Sequence, residues 1–289
     1  MNTTQLVLVG VFAALAGACV GSFVGVIVDR MPYPLDEPDE FGDLWGTRTW
    51  REVVGGESRC SDCGADLRRS DNIPVFGWIR LRGRCRACSA PIPRYLLLLE
   101  VLVPALGAFV VWRLGGLHWV LLPALWLIPA GVAVAAIDIR SFIVPTKIIW
   151  PAFAVSVVLT ISAALLDSHP RYLLGALVGV ACLSGPLFIV WFVLPSGMGF
   201  GDVRLTVLLG WTVGYVAMTI GASDRVIQSV FMAVMCLGIA AVVGIVFSVV
   251  GLGARGRKAK VPFGPPLVFA ALVCIGYAGN ILRFFQITG

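Results

Sequence analysis

Two aspartates, Asp138 and Asp202, stand at the ends of long apolar runs in a chain that otherwise keeps carboxylates out of such places. Asp138 closes the run from Trp119 to Ile137. Asp202 ends the segment Gly197-Met198-Gly199-Phe200-Gly201-Asp202 and opens the run from Leu205 to Ile220, at the start of the sixth span. A carboxylate at a bilayer boundary is costly and is usually there for function. Two that meet cannot both ionise easily, so one holds a proton while the other is charged. Such a dyad can deprotonate a water for attack on a peptide carbonyl and protonate the leaving amine. Gly197, Gly199 and Gly201 remove side chains where an extended substrate strand would approach, so Gly199 and Gly201 are candidate substrate contacts. The plainer alternative is two helix-ending aspartates at headgroup depth, paired with Arg140 and Arg204.

Whether the two acids can meet depends on the elements that carry them. With 58% hydrophobic and 13% charged residues and a mean hydropathy of +0.92, the chain is not a soluble globule. Apolar stretches near the ~20 residues that cross a bilayer recur along it. They fall at roughly 5–28, 95–112, 119–137, 148–166, 172–194, 205–220, 226–252 and 265–283. The expected fold is an all-α membrane protein of about eight transmembrane helices. Residues 1–28 form the first helix, 29–94 a small aqueous domain between helices 1 and 2, and 95–289 a seven-helix domain. Gly17, Gly21 and Gly25 make a small-residue stripe for close helix packing.

Orientation follows from the basic residues. Placing 29–94 in the cytoplasm puts 18 of the 22 Lys and Arg residues inside, leaving Arg113, Arg171, Arg225 and Arg283 outside. Both termini then lie outside, and Asp138 and Asp202 both face the cytoplasm. No basic residue precedes the first apolar run, the reverse of a secretory leader, so that run reads as an uncleaved anchor. Membrane topology accounts for the basic pI near 9.0, and no recognisable nucleic-acid fold fits loops this short, which excludes nucleic acid as a partner.

The aqueous loop holds Cys60-Ser61-Asp62-Cys63 and Cys85-Arg86-Ala87-Cys88. Two C-x-x-C knuckles at this separation suit a structural zinc held by four thiolates, Cys60, Cys63, Cys85 and Cys88. Gly64 and Gly83 fit the turns, and a loop too small for a large core needs such a staple. Disulfides or a redox role are the weaker reading in a reducing cytoplasm. Cys19, Cys182, Cys236 and Cys274 lie singly in apolar runs and are expected to be small buried residues.

The run Gly197 to Asp202 resembles the GxGD signature of intramembrane aspartic proteases, in the form found in type IV prepilin peptidases (leader peptidases). The resemblance covers nearly the whole chain. Gly21-Ser22-Phe23 with Arg30-Met31-Pro32 resembles that family's opening. The stretch Ser58 to Glu100 resembles its loop, with both cysteine pairs, Asn72-Ile73-Pro74, Arg82-Gly83-Arg84, Arg94-Tyr95 and Glu100. Ile137-Asp138 with Pro145 resembles the first catalytic segment, and Val261-Pro262-Phe263-Gly264-Pro265 the loop before the last helix. This resemblance implies cleavage of the leader from type IV pilin-like precursors at the cytoplasmic membrane face, with Asp138 and Asp202 as the catalytic pair. Many members also methylate the new N-terminus with S-adenosylmethionine. Gly25, Thr146 and the residues around Arg94 depart from the family pattern.

The segment Asp36 to Asp43 concentrates five of sixteen acidic residues and is a candidate attractor for a basic leader, or simply a solvated loop. Glu100 is expected to pair with Arg94 or to hydrogen-bond near the site. His118 and His169 fall in short outside loops, away from the chemistry. The rival reading is a proton-coupled transporter that uses the two aspartates as a relay. It predicts acids near the bilayer middle and paired half-repeats, neither of which the sequence displays.

Overall fold

In lipid a helix satisfies its own backbone hydrogen bonds, so apolar runs of this length become helices. The computed structural model describes residues 3–37, 45–114, 118–195, 198–220, 226–255 and 262–285. Among them, eight helices are long and apolar enough to cross a membrane. The fold is that of a mostly helical multi-pass membrane protein with a four-cysteine region between the first two spans. The chain divides into two compact units, Met1–Ala108 and Phe109–Gly289.

In the first unit, α1 (Thr3–Arg30) leads into a two-stranded antiparallel ribbon of β1 (Pro32–Pro34) and β2 (Trp45–Thr47), with Tyr33 opposite Gly46. Helix α2 (Trp50–Val54) starts at a Thr49 and Glu52 capping box. A 3-10 turn over Arg69–Asp71 precedes α3 (Phe76–Arg80). The second span, α4 (Arg94–Arg113), begins in this unit and runs past its boundary. The small-residue stripe of α1 does meet α4. A Cβ on Gly17 would lie 2.7 Å from Pro104 Cβ, and one on Gly21 would lie 2.6 Å from the Leu99 carbonyl oxygen. Only glycine allows that approach.

The second unit holds α5 (Leu121–Ser141), α6 (Thr146–Leu166), α7 (Tyr172–Val193), α8 (Phe200–Ile220), α9 (Ile227–Arg255) and α10 (Gly264–Phe284). Helix α8 is its core. It packs against α5, α6, α7, α9 and α10, and nearly every residue from Asp202 to Met218 is buried. Helix α7 approaches it most closely, because Gly175 and Gly179 face Gly210 and Gly214. A Cβ on Gly179 would fall 2.1 Å from the Gly210 carbonyl oxygen. Polar links add register at membrane depth. The Ser156 and Thr212 hydroxyls lie 3.3 Å apart, Trp211 Nε1 donates to Thr160 Oγ1 at 3.0 Å, and Ser229 Oγ donates to the Gly214 carbonyl at 2.8 Å.

Two details differ from the sequence expectation. Helix α8 starts at Phe200, ahead of the apolar run, so Asp202 stands in its first turn. Glycines and an aspartate are tolerated there, since an acid near a helix N-terminus meets the positive end of the dipole. Of the four single cysteines, Cys236 and Cys274 are buried, whereas Cys19 is exposed on its helix and Cys182 half-buried. An apolar run by itself does not say which helix face is covered.

Candidate active site and metal centre

Helix α5 carries Asp138 in its last turn and stops at Phe142, whose left-handed conformation (φ 56°) lets its N–H donate to the Asp138 carbonyl at 2.9 Å. The Asp138 side chain is only 4% exposed. The Gly264 N–H, at the start of α10, donates to Asp138 Oδ2 at 2.8 Å. A side chain on Gly264 would crowd that oxygen, since its Cβ would lie 2.7 Å away. Pro265 and Pro266 follow with no N–H of their own, leaving the Gly264 amide as the donor that this helix start directs at the acid.

Asp202 is 8% exposed, and its N–H donates to the Gly199 carbonyl at 3.1 Å as α8 begins. Three contacts seat this helix start. A Cβ on Gly201 would lie 2.6 Å from Val144 Cβ, so the missing side chain is filled by the loop between α5 and α6. Arg204 Nη1 donates to Thr146 Oγ1, and its guanidinium carbon lies 4.6 Å from the centroid of the Phe200 ring. Phe200 in turn packs on Trp191 of α7, with ring centroids 4.5 Å apart.

The C-terminal end of α5 and the N-terminal ends of α6, α8 and α10 therefore gather at one place. Asp138 and Asp202, 64 positions apart in sequence, are brought within electrostatic reach of each other there. Two buried carboxyl groups so arranged are equipped for acid/base work on one molecule between them. Arg204 has Thr146 as its hydrogen-bond partner rather than Asp202. A Cβ at Gly199 would meet only ordinary contacts, the Asp202 carboxylate among them at 4.0 Å, so the space beside that acid is open. Gly197 lies outside the described residues, as do Asp39, Glu40 and Asp43 of the acidic segment, while Asp36 and Glu37 are exposed. His118 is at the opposite end of α5 from Asp138. His169 stacks on Tyr172, and its Nδ1 lies 2.6 Å from the Asp167 carbonyl oxygen.

Sequence reasoning missed Gly264 as a partner of Asp138 and Thr146 as the partner of Arg204, which it had offered to an aspartate. Gly264 carried a faint signal, a glycine just ahead of two prolines at a helix start, whereas the Thr146 hydroxyl carried none.

The first unit brings the four loop cysteines together. Their sulfurs all lie within 4.8 Å of one another, Cys60 and Cys88 at 3.8 Å and Cys63 and Cys85 at 4.0 Å. A tetrahedral ion with metal–sulfur bonds of ~2.3 Å spaces its ligands by about 3.8 Å, so the four thiols can hold a metal. Two near-identical turns build the cluster. Cys60 N–H donates to the Ala65 carbonyl at 2.9 Å and Cys85 N–H to the Ala90 carbonyl at 2.8 Å. Gly64 fills the left-handed position after the first pair (φ 70°), and Ser89 fills its counterpart after the second (φ 60°). The expected role of Gly83 differs accordingly. It is also left-handed, but a Cβ there would lie 2.6 Å from the Trp78 ring. The backbone N–H groups of Cys88 and Ala87 point at the Cys85 sulfur and bring its thiol down to about 7, which favours the ligating thiolate. None of the eight cysteines forms a disulfide.

Beside the cluster, Asp71 accepts hydrogen bonds from Arg80 at 3.2 Å and Arg86 at 3.0 Å, and the Arg86 guanidinium holds its carboxyl below the usual range. Glu100, expected beside Arg94, instead accepts the Val75 N–H at 2.6 Å.

The chain matches the family described as the Type IV leader peptidase family over residues 124–278, and the Bacterial Peptidase A24 N-terminal domain over residues 15–114. It is similar to the prepilin leader peptidase/N-methyltransferase of Stutzerimonas stutzeri, 28% identical over 93% of this chain and 91% of that protein. The protein of the same name from Pseudomonas putida is 30% identical over 93% of this chain and 91% of its own length. That from Myxococcus xanthus is 33% identical over 70% of this chain, a match that covers 56% of the relative. No solved structure matches.

Proposed function

The chain belongs to the type IV leader peptidase family, and from that premise we propose that Asp138 and Asp202 cleave the leader from type IV pilin-like precursors at the cytoplasmic membrane face. The protein is an enzyme, a peptidase of the membrane. The observation that supports the catalytic assignment is two buried carboxyl groups within electrostatic reach of each other where the ends of α5 and α8 adjoin.

A water between the two acids gives a proton to one carboxylate as its oxygen attacks the scissile carbonyl carbon. The tetrahedral oxyanion then collapses. The carbon–nitrogen bond breaks as the other carboxyl group hands its proton to the departing amine. The products are a free leader carboxylate and a new N-terminal amine. The Gly264 amide holds the Asp138 carboxylate in one orientation throughout. Gly199 leaves room for the precursor backbone beside Asp202, while Gly201 lets the helix start close on Val144. The excess of Lys and Arg in the loops at the Asp138 and Asp202 ends supports a cytoplasmic site.

We assign zinc to the four cysteines, as a structural ion. All four positions of a tetrahedral ion are filled by protein, which leaves no open site for substrate. The N-methyltransferase half of the relatives' names suggests that the new amine is methylated by S-adenosylmethionine. A solvent-open cavity of about 170 Å³ in the first unit, lined by Asp29, Arg30, Trp78 and Glu100, offers a place for part of such a donor. Trp78 Nε1 is buried without a partner among the described residues. Carboxylates beside an indole suit a cationic sulfonium with an amino-acid tail. When bound, the donor supplies an electrophilic methyl group.

The test is reconstitution of the full chain with a pilin-like precursor, comparing wild type with Asp138→Ala and Asp202→Ala. Mass spectrometry of the new N-terminus reads cut position and methylation together. Cleavage lost in both variants, with helix content intact, is the expected result. Full turnover by either one overturns the assignment.

A further inference from the structure

The region between the first two spans is neutral in sum and sharply divided in charge. Residues 29–66 carry ten acidic residues and four arginines, whereas residues 67–94 carry Asp71 and seven arginines. The basic half also presents apolar side chains to solvent, with Ile73 47%, Phe76 54% and Ile79 58% exposed. Phe76 and Ile79 are three apart on α3 and share a face. Helix α3 is fixed to the turn before it at Gly77 and Arg80. A Cβ on Gly77 would fall 2.1 Å from the Asp71 carbonyl oxygen, and Arg80 reaches back to Ser70 and Asp71 at 3.2 Å each.

One hydrogen bond ties this apolar face to the second span. The Val75 N–H donates to Glu100 Oε2 at 2.6 Å, and Glu100 is the seventh residue of the spanning helix α4. At a rise of 1.5 Å per residue, Glu100 lies about 9 Å along the axis from Arg94. The headgroup layer on each side of a bilayer is only about 5–7 Å deep. A glutamate that reaches back toward water shortens this by a few ångströms and still leaves Val75 within that layer. Ile73 lines the same cavity as Leu96 and Leu97, at the same level of α4. Val75 itself has a positive φ (φ 63°, ψ −51°), a costly conformation for a β-branched residue that persists only where surroundings impose it.

We propose that the segment Asn72–Arg80 is a membrane wedge that rests Ile73, Phe76 and Ile79 at the boundary of headgroups and acyl chains. The lipid is that of the bilayer the spans already cross, in its anionic form. Arg68, Arg69, Arg82, Arg84 and Arg94 are exposed around the wedge and supply the complement to lipid phosphates.

An environment-sensitive fluorescent amino acid placed at Phe76 or Ile79, with one at Glu57 as control, tests this in the full chain reconstituted into vesicles. The lipids are phosphatidylcholine alone or mixed with phosphatidylglycerol, with bromine on the acyl chains as quencher. Quenching several-fold stronger at positions 76 and 79 than at 57, and stronger again with phosphatidylglycerol, is expected. Quenching at 76 and 79 no greater than at 57, with helix content unchanged, overturns the wedge. So does a photo-crosslinker at Ile79 that captures a second copy of the chain or the precursor instead of lipid. Neither measurement depends on cleavage, so it stands apart from the assignment of Asp138 and Asp202.

Discussion

Four sulfurs in the aqueous region and two carboxyl groups in the bundle are each gathered to a point, by opposite means. Cys60, Cys63, Cys85 and Cys88 are aimed by two short turns, each closed by its own backbone hydrogen bonds. Their surroundings are largely exposed, the Arg59 ion pair among them, while the Asp71 side chain is covered and paired with Arg86. Asp138 and Asp202 are placed by whole helices, through glycine contacts at backbone range and buried hydroxyls. The difference follows from the solvent. A small loop in water buries little apolar surface to hold itself, and four thiols that can bind a metal are suited to staple it. In lipid there is no hydrophobic drive between helices, so close packing and polar links fix position.

The comparison breaks most visibly at the acids. Asp138→Asn and Asp202→Asn should each lower precursor cleavage by roughly 10²–10⁴-fold, as loss of an acid/base group does. Helix content by circular dichroism should stay unchanged. A residual rate within a few-fold of wild type in either variant removes the dyad.

At the cysteines, Cys60→Ser or Cys88→Ser, or a strong chelator, should release zinc and open the loop. Elemental analysis should fall from one zinc per chain toward none, and limited proteolysis between residues 45 and 93 should become rapid, while the bundle keeps its helix signal. A fully protease-resistant, zinc-free loop would show that the metal is dispensable.

Within the bundle, Gly179→Val places side-chain atoms where the Gly210 carbonyl stands. Overpacking of this kind costs about 1–3 kcal/mol, read as a lower unfolding temperature in detergent. The metal content of the first unit should not change. If the unfolding temperature holds, the close approach of α7 and α8 is not what secures α8.

A finer test separates anchoring from chemistry. Thr146→Val removes the acceptor of Arg204, worth about 1 kcal/mol, or roughly a fivefold drop in kcat with KM little changed. Arg204→Lys should retain more activity than Arg204→Ala, because an ammonium can still donate to the hydroxyl. Equal losses in the two Arg204 variants argue against the link.

The smallest effect concerns pH. Asp71 is held below the usual carboxylate range by Arg86, so its contribution is complete above the unfolded value of ~3.9 and disappears as pH falls through the lower folded value. Asp71→Asn should remove that acid sensitivity from the loop, followed by hydrogen exchange of residues 67–92 between pH 6 and 3. An unchanged profile means that the pairing with Arg80 and Arg86 adds nothing.

The sequence by itself determined the spans, the cysteine cluster and the identity of the two candidate acids. The spans are legible because crossing lipid demands a composition that nothing else in a chain displays. The cysteines are legible because each pair acts over four residues, and local spacing sets where their sulfurs point. Tertiary structure decided what lay beyond local spacing. That α8 is buried on nearly all sides, that Gly264 holds Asp138, that Arg204 reaches Thr146 and that Glu100 holds Val75 all depend on segments remote along the chain. Three of the four turn on a backbone N–H or a lone hydroxyl. Every residue but proline has the first, and the second is common, so neither leaves a mark in sequence until packing brings its partner within about 3 Å.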